Sequence, residues 1–393
     1  MKSPACQKFR KSFSALVAFA EALFPVCSCS QRPGRPVMQF EGGSMYEDNG
    51  VKVLCLHGDW ESMGRQWGAL GRGSMCKVLD FIVAGTGRDS SRMDEFERLA
   101  DDVFSHYPEH LRRFVEAASE TSGLSVSQLK VVNALEWGES MFQCSGIACW
   151  GAYSDGPLVY GRNYDALSYG ALGNEVVVTV FHPADGVQSF ATVGYAGELY
   201  CVNGFNESGL FIELNNGMAS SGHDIDFGKS LNTTELMRLL SDARTLDDAD
   251  RFFAGTPGAS GFLVGVSDGR SARCYEWYGD EMHRSDTLTP EGLMVMNNHF
   301  TSPEWDFSDP AEEDCWQSHA RRANLIGFAE ANKGRIDADA MMAFMRRPVA
   351  DGGPALIGYE RYQIVAVPAR KMFYLNIPDA GIPWAEIDLK KYF

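Results

Sequence analysis

The residue pattern of the chain predicts an α+β fold in which helix layers pack on a pair of stacked, mainly antiparallel sheets. Three observations lead there. The stretch from about Asp59 to Gln143 reads as largely helical, the part after Cys144 reads as a series of short strands, and two helical segments interrupt that series. Within the first stretch, Met93 to Phe114 groups Phe96, Leu99, Val103 and Phe104 on one side at helical spacing. Gly123 breaks the pattern. Ser125 then stands where a helix cap belongs, with Gln128 three residues on as in a capping box. The helix it opens carries Leu129, Val132, Leu135 and Trp137 and ends just before Cys144.

The strands follow. Val176 to Phe181, Ser189 to Val193, Leu210 to Leu214, Gly261 to Val266, Ala272 to Trp277 and Leu293 to Met296 are short, carry β-branched or aromatic residues, and are punctuated by Gly, Asn or Asp. The interrupting helices are Ser230 to Asp242 and Trp316 to Ala331. Glu360 to Val367 and Lys371 to Leu375 close as a hairpin. No repeat, low-complexity tract or second-domain boundary breaks the run.

Composition narrows the class. At 393 residues the chain exceeds the usual single-core size, yet large layered folds reach this length as one domain. With 45% hydrophobic and 22% charged residues it reads as an ordinary globular protein. A net charge of -17 argues against a nucleic-acid partner, since phosphate binding depends on Lys and Arg. Residues 1–30 differ from the rest. Lys2, Lys8, Arg10 and Lys11 precede a mostly apolar run from Ser12 to Val26, the arrangement of an export leader and too short to span a membrane. Val26-Cys27-Ser28-Cys29 is similar to a bacterial lipoprotein processing site, which would lipidate Cys29 and anchor the protein to a membrane. The expected organisation is thus a leader over 1–30, a linker over 31–50, a helical segment over 51–143 and a catalytic segment over 144–393, the last two packed as one domain. The oligomeric state is left open. The seven cysteines from Cys55 to Cys315 show no paired metal-ligand spacing, and most read as small buried residues, with one or two disulfides open to an exported protein.

The most informative stretch runs from Cys144 to Asp165, C-S-G-I-A-C-W-G-A-Y-S-D-G-P-L-V-Y-G-R-N-Y-D. A cysteine starts an apolar strand, Ser154-Asp155-Gly156 turns the chain, and a second strand returns to end in Gly161-Arg162-Asn163-Tyr164-Asp165. This hairpin brings Arg162 and Asp165 toward Cys144. A thiol beside a guanidinium is biased toward thiolate, the nucleophilic form. Cys149, five positions on, points to the opposite face and takes no part. The bland alternatives are a buried structural cysteine and an exposed Arg–Asp pair of little worth.

These residues, with three further blocks, resemble the cysteine N-terminal-nucleophile hydrolases of the penicillin acyltransferase type, relatives of the choloylglycine (bile salt) hydrolases. His57-Gly58-Asp59-Trp60-Glu61-Ser62-Met63-Gly64-Arg65-Gln66-Trp67-Gly68 is similar to a signature that precedes the nucleophile. Gly204-Phe205-Asn206-Glu207-Ser208-Gly209-Leu210 with Glu213-Leu214-Asn215-Asn216 resembles the central block, and Met296-Asn297-Asn298-His299-Phe300 the late one, with Asn297 where threonine is usual. The likeness spans about residues 50 to 380. It implies a four-layer αββα sandwich and a nucleophile that must head its own chain, because its α-amine, of pKa about 7.7–8.0, serves as base. The Gln143–Cys144 bond would therefore be cut first, by attack of the Cys144 thiol on the Gln143 carbonyl. By the same resemblance Arg162 sits over the sulfur, Asp165 bonds the α-amine, Asn215 stabilises the oxyanion, Asn298 contacts the nucleophile region, and Arg361 matches a late arginine.

The resemblance implies hydrolysis of linear N-acyl amides through an acyl-Cys144 intermediate, on a small-molecule substrate and with no cofactor. Two other readings stand beside it: a cytoplasmic acyltransferase drawing on a coenzyme A thioester, and an unprocessed surface lipoprotein that binds a ligand or partner. Trp60, Trp67, Trp150 and Tyr195 are candidates to line an acyl pocket or to fill core. His299 invites a Cys–His pairing with Cys144, against which stands the commoner packed histidine.

Overall fold

The computed structural model describes residues 33–85, 90–138, 143–166, 172–285 and 287–393. The leader over 1–30, Cys29 included, lies outside the described residues.

Three strands open the fold, β1 (Met38–Phe40), β2 (Gly43–Asp48) and β3 (Val51–Gly58). Residues 38–48, expected to be linker, are therefore sheet, because each of these strands pairs antiparallel with the next. Five helices follow, α1 (Trp60–Gly85), α2 (Ser90–Ser105), α3 (Glu109–Ser122), α4 (Val126–Asn133) and α5 (Leu135–Gly138). The periodic stretch from Met93 to Phe114 is split between α2 and α3. The split falls at Pro108, an extended residue at the head of α3 whose ring supplies no N–H for a helix running through it. The expected capping box forms: Ser125 Oγ accepts from Gln128 N, and the Gln128 side chain accepts from Ser125 N.

The rest alternates. In order come β4 (Gln143–Cys149), β5 (Val159–Asp165), β6 (Val176–Pro183), β7 (Phe190–Tyr195), β8 (Asn203–Asn206), β9 (Phe211–Asn216), α6 (Met218–Ser221), α7 (Asn232–Asp242) and α8 (Leu246–Gly255). Next are β10 (Gly258–Ser267), β11 (Ala272–Gly279), β12 (Glu281–Arg284), β13 (Thr287–Thr289), β14 (Leu293–Met296), α9 (Ser318–Ala331) and α10 (Ala338–Met345). The last are β15 (Glu360–Val367), β16 (Met372–Ile377) and β17 (Ile382–Asp388).

These strands make two sheets. The larger has the order β1-β2-β3-β6-β7-β8-β9-β10-β11-β12, antiparallel throughout except for the parallel pair β3–β6. The smaller has the order β13-β14-β4-β5-β15-β16-β17. Helix α1 lies on β2, β3 and β6, and α7 and α8 lie on β8, β10 and β11, covering the outside of the larger sheet. Helices α9 and α10 cover the smaller one through β14, β4, β5 and β15. Between the sheets β9 meets β4 and β11 meets β14. The layers thus run helix, sheet, sheet, helix, as expected.

The block from His57 to Gly68 has a structural explanation. Gln66 donates to the carbonyls of His57 and Glu41 and accepts from His57 N at 2.8 Å, clamping the end of β3 to the start of α1. A Cβ at Gly64 or Gly68 would collide with the backbone carbonyls of Phe114 and Ala118, so these glycines allow α1 and α3 to touch backbone to backbone.

Candidate active site

Strand β4 divides its side chains between two environments, as alternation demands. Cys144 and Ala148 join the core between the sheets, whereas Ile147 and Cys149 join the cluster formed with Leu325 and Phe328 of α9 and Phe344 and Met345 of α10. Cys144 and Cys149 therefore face opposite ways. The antiparallel register sets Cys144 against Tyr164, Gly146 against Arg162 and Gln143 against Asp165.

Arg162 points inward and is fully buried. Its guanidinium donates to Asn203 Oδ1, to the Asn163 carbonyl at 2.8 Å and to the Leu214 carbonyl at 3.2 Å, and it lies 4.8 Å from the centre of the Tyr164 ring. Cys144 is 1% exposed. Burial pushes its thiol up to about 12; Arg162 pulls against that shift, while Glu213 and Asp165 reinforce it. The expected bias toward thiolate is thus outweighed by desolvation. Burial alone would lower Arg162, but the neighbouring Cys144 and Glu213 hold it above its ordinary value. Surface cavities lined by Arg346 and Glu360, by Trp60 and Asp185, and by His299 and Phe300 do not include Cys144 in their lining.

The backbone of Cys144 is gripped from the other side. Its N–H donates to Asn298 Oδ1 at 2.8 Å, and its carbonyl accepts from Arg321 Nη1 at 2.5 Å. Asn298 is itself fixed, since its Nδ2 donates to the Asn216 carbonyl and its Oδ1 accepts from Arg321 Nη2, each at 2.8 Å. Asn297 Nδ2 donates instead to Ser145 Oγ at 3.1 Å, so Asn298, of the two adjacent asparagines, is the one that meets Cys144.

Asp165 stands apart from the sulfur. Its register opposite Gln143 turns it to the α9 side, where it is fully buried and neither carboxyl oxygen has a hydrogen-bond partner. Burial raises it to about 8; Arg321 pulls it down, Glu360 pushes it up, and Arg162 and Arg361 pull it down. Arg361 sits at the bulge between Glu360 and Tyr362 and reaches the site through this carboxyl. Asn215, buried on β9, spans to the smaller sheet by donating from Nδ2 to the Met296 carbonyl at 3.4 Å, and its Oδ1 is without a partner.

The residue that sequence reasoning passed over is Arg321. The guanidinium is fully buried; besides the Cys144 carbonyl and Asn298 it donates to Ser145 Oγ at 2.8 Å, to Gln143 Oε1 at 3.4 Å and to the Trp316 carbonyl at 3.1 Å. The arginine that grips the Cys144 backbone is this one; Arg361, which the sequence reading matched to a late arginine, meets the Asp165 carboxyl instead. A signal was present: Arg321 shares a helical face with Ser318, Leu325 and Phe328, so an arginine lies on the buried stripe of α9.

His299 is a packed histidine. Its Nδ1 lies 2.7 Å from Ser318 Oγ, its ring lies tilted with its centre 4.0 Å from that of His319, and burial with nearby positive charge lowers it to about 3. Trp67 fills the helix layer against Phe114, and Trp60 contacts His110 and Asp185 there. The seven cysteines from Cys55 to Cys315 are unpaired. No group of three potential metal ligands occurs among the described residues.

Residues 152–333 match the family described as acyl-coenzyme A:6-aminopenicillanic acid acyl-transferase, which bears out the resemblance read from the motifs. The matched span holds Arg162, Asp165, Asn215, Asn298 and Arg321; Cys144 lies just before it. No curated protein matches the chain. Among solved structures, the N-acylethanolamine-hydrolyzing acid amidase ortholog of Caenorhabditis elegans is 15% identical with a TM-score of 0.45, over 63% of this chain and 100% of that one. Penicillin V acylase from Agrobacterium tumefaciens is 16% identical with a TM-score of 0.41, over 60% and 83%. A variant of conjugated bile acid hydrolase from Clostridium perfringens is 14% identical with a TM-score of 0.42, over 63% and 93%.

Proposed function

We propose that this chain, a penicillin acyltransferase-type protein by its residues 152–333, is a self-processing cysteine amidohydrolase that cleaves linear N-acyl amides through Cys144. One observation carries the reading. Three parts of a single residue each face a different partner: the thiol lies in the field of the Arg162 guanidinium, the amide nitrogen donates to Asn298 and the carbonyl accepts from Arg321. A merely structural cysteine on a core strand, such as Cys149, draws no such convergence.

In the first reaction the Cys144 sulfur attacks the Gln143 carbonyl. The C–N bond breaks, the nitrogen of Cys144 takes a proton to become an amine, and a thioester joins Gln143 to the sulfur. Water opens the thioester, leaving Gln143 as a carboxylate and Cys144 as the head of a new chain. The freed amine then has two partners at hand, Asn298 Oδ1 and the Asp165 carboxyl on the adjoining strand. Conversion of a neutral amide to an ammonium would stabilise the carboxylate form of Asp165, whose raised value reflects burial without a bonded cation.

In the second reaction the amine accepts the thiol proton, the sulfur attacks the substrate carbonyl, and the amine returns the proton to the departing nitrogen. The Asn215 amide is the donor proposed for the developing oxyanion. Water completes the cycle. The family match favours one second reading, acyl transfer to an amine in place of water. The leader over 1–30, with export and lipidation at Cys29 as the corresponding proposal, argues for water, because coenzyme A thioesters are cytoplasmic.

Mass spectrometry of the purified protein tests processing, with a new N-terminus at Cys144 as the expected result. A panel of acyl amides scored by released amine tests the chemistry. A Cys144→Ala protein that still matured and hydrolysed amides would sink the proposal.

A further inference from the structure

We propose that Glu213 is a positioning residue that shares the guanidinium of Arg162 with Cys144 and so sets when the thiol ionises; this rests on reading Cys144 as the nucleophile. The geometry begins with two glycines. Gly146 lies two residues from Cys144 on the same face of β4, and a Cβ there would stand 2.6 Å from Glu213 Oε2 and 2.7 Å from Oε1. Gly265 pairs with Glu213 across β9 and β10, and a Cβ there would collide with the Tyr160 hydroxyl. The two missing side chains leave a slot between the sheets, occupied by a carboxyl, a phenol and a guanidinium.

Arg162 is opposite Gly146 and is the cation facing this slot. A guanidinium has five N–H groups. Three of those of Arg162 go to Asn203, Asn163 and Leu214, which leaves two for the groups on either side of it, the thiol and the carboxyl. Glu213 is fully buried, and neither of its oxygens has a hydrogen bond of normal geometry. The groups facing it are Arg162 and Tyr160 from β5, Asn215 from its own strand, Cys144 from β4 and Cys274 from β11; Arg162 in turn faces Tyr362 from β15.

Two acids therefore compete for one cation. Ionising both would leave a net negative charge in a buried slot, so they titrate as a pair. Burial raises Glu213 to about 8, with Arg162 pulling it down, as it also does for Cys144. While Glu213 is a carboxylate, the sulfur keeps its proton. When Glu213 holds a proton instead, Arg162 is free to stabilise the thiolate. Exchanging S–H and COO⁻ for S⁻ and COOH moves one proton and leaves the charge of the slot unchanged.

The test is the thiolate absorbance near 240 nm of mature enzyme, taken as a difference from the Cys144→Ala protein and titrated with pH. Glu213→Gln keeps the shape and removes the competing charge. It is expected to lower the midpoint by about one pH unit, or about tenfold more thiolate at a fixed pH below it. The acid limb of the rate profile should move with it. A folded Glu213→Gln enzyme with an unmoved midpoint overturns the proposal. If that variant fails to fold, Glu213→Asp withdraws the charge by one methylene and should move the midpoint the same way by less; no movement there overturns it equally. Failure of the amidase reading appears separately, as hydrolysis that survives in Cys144→Ala.

Discussion

The two faces of β4 each meet one fully buried arginine, and the two arginines do opposite work. On the inner face Arg162 is surrounded by ionisable groups, Cys144 and Glu213, and is held more firmly protonated than usual. On the outer face Arg321 donates mostly to neutral acceptors: the carbonyls of Cys144 and Trp316, the amide oxygens of Asn298 and Gln143, and the Ser145 hydroxyl. Burial there lowers it, with Asp165 opposing. The difference teaches a division of labour. The inner arginine adjusts charge at the sulfur, and the outer one holds the Cys144 carbonyl and the Gln143 side chain, one on each side of the bond proposed to break.

The sharpest way to break this comparison is to remove the outer arginine. Arg321→Met takes a donor from the Cys144 and Trp316 carbonyls, two side-chain amide oxygens and a hydroxyl. Losing one partner of a buried charged network typically costs about 3–5 kcal/mol. A lowered melting temperature and no new N-terminus at Cys144 are expected, read by thermal unfolding and mass spectrometry. Maturation at the normal rate would show that backbone fixation is dispensable. Asn215→Ala comes next. Loss of one oxyanion donor lowers kcat about 10²–10³-fold with KM little changed; an equal effect on KM alone would assign Asn215 to binding.

Arg162→Lys probes the inner face. It keeps the charge and loses the planar fork, so the precursor should fold while the thiol titrates higher and kcat falls about tenfold or more. A stability loss as large as that of Arg321→Met, with an unchanged thiol, would erase the contrast between the faces. Asp165 gives a pH signature on the outer face. Its folded value of about 8 exceeds the usual carboxylate value of about 3.9. The folded precursor thus binds this proton more tightly than the unfolded chain does, and the stability it contributes falls as pH rises from about 4 to about 8. In an uncut Cys144→Ala background, Asp165→Asn should remove that decline, so its advantage in melting temperature grows across the window. A constant difference would show that Asp165 titrates normally.

What was legible in the sequence was what local pattern determines. Strand β14 and strand β15 have the bounds their residues predict, because alternation and flanking turns define them without outside help. The Ser125–Gln128 box is similarly local. Residues 38–48 misled because the three-residue β1 and six-residue β2 gain their stability from pairing, β1 with β2 and β2 with β3, and their own composition does not name those partners. The site divides the same way. Cys144 and Arg162 share one hairpin, so a short-range argument placed them together. Arg321 is 177 positions from Cys144, and only the packing of α9 on β4 brings it there. Glu213 was hidden differently: its role depends on the absence of a side chain at Gly146, on the other sheet.

The smallest effect is the cleanest control. Cys149 lies on the same strand as Cys144, is equally buried, and has its thiol pushed up by burial. It packs in the outer apolar cluster with Leu293, Leu325 and Phe328. Cys149→Ala removes one sulfur from that packing, a change of about 1 kcal/mol by analogy with small core truncations. Maturation and turnover should stay at wild-type values. Unfolding curves and the amine-release assay, run beside Cys144→Ala, would then show two identical side chains on one strand, one needed for chemistry and one for packing. A loss of turnover in Cys149→Ala beyond its change in stability would mean that the outer face reaches the sulfur, and that the two faces of β4 are not separate.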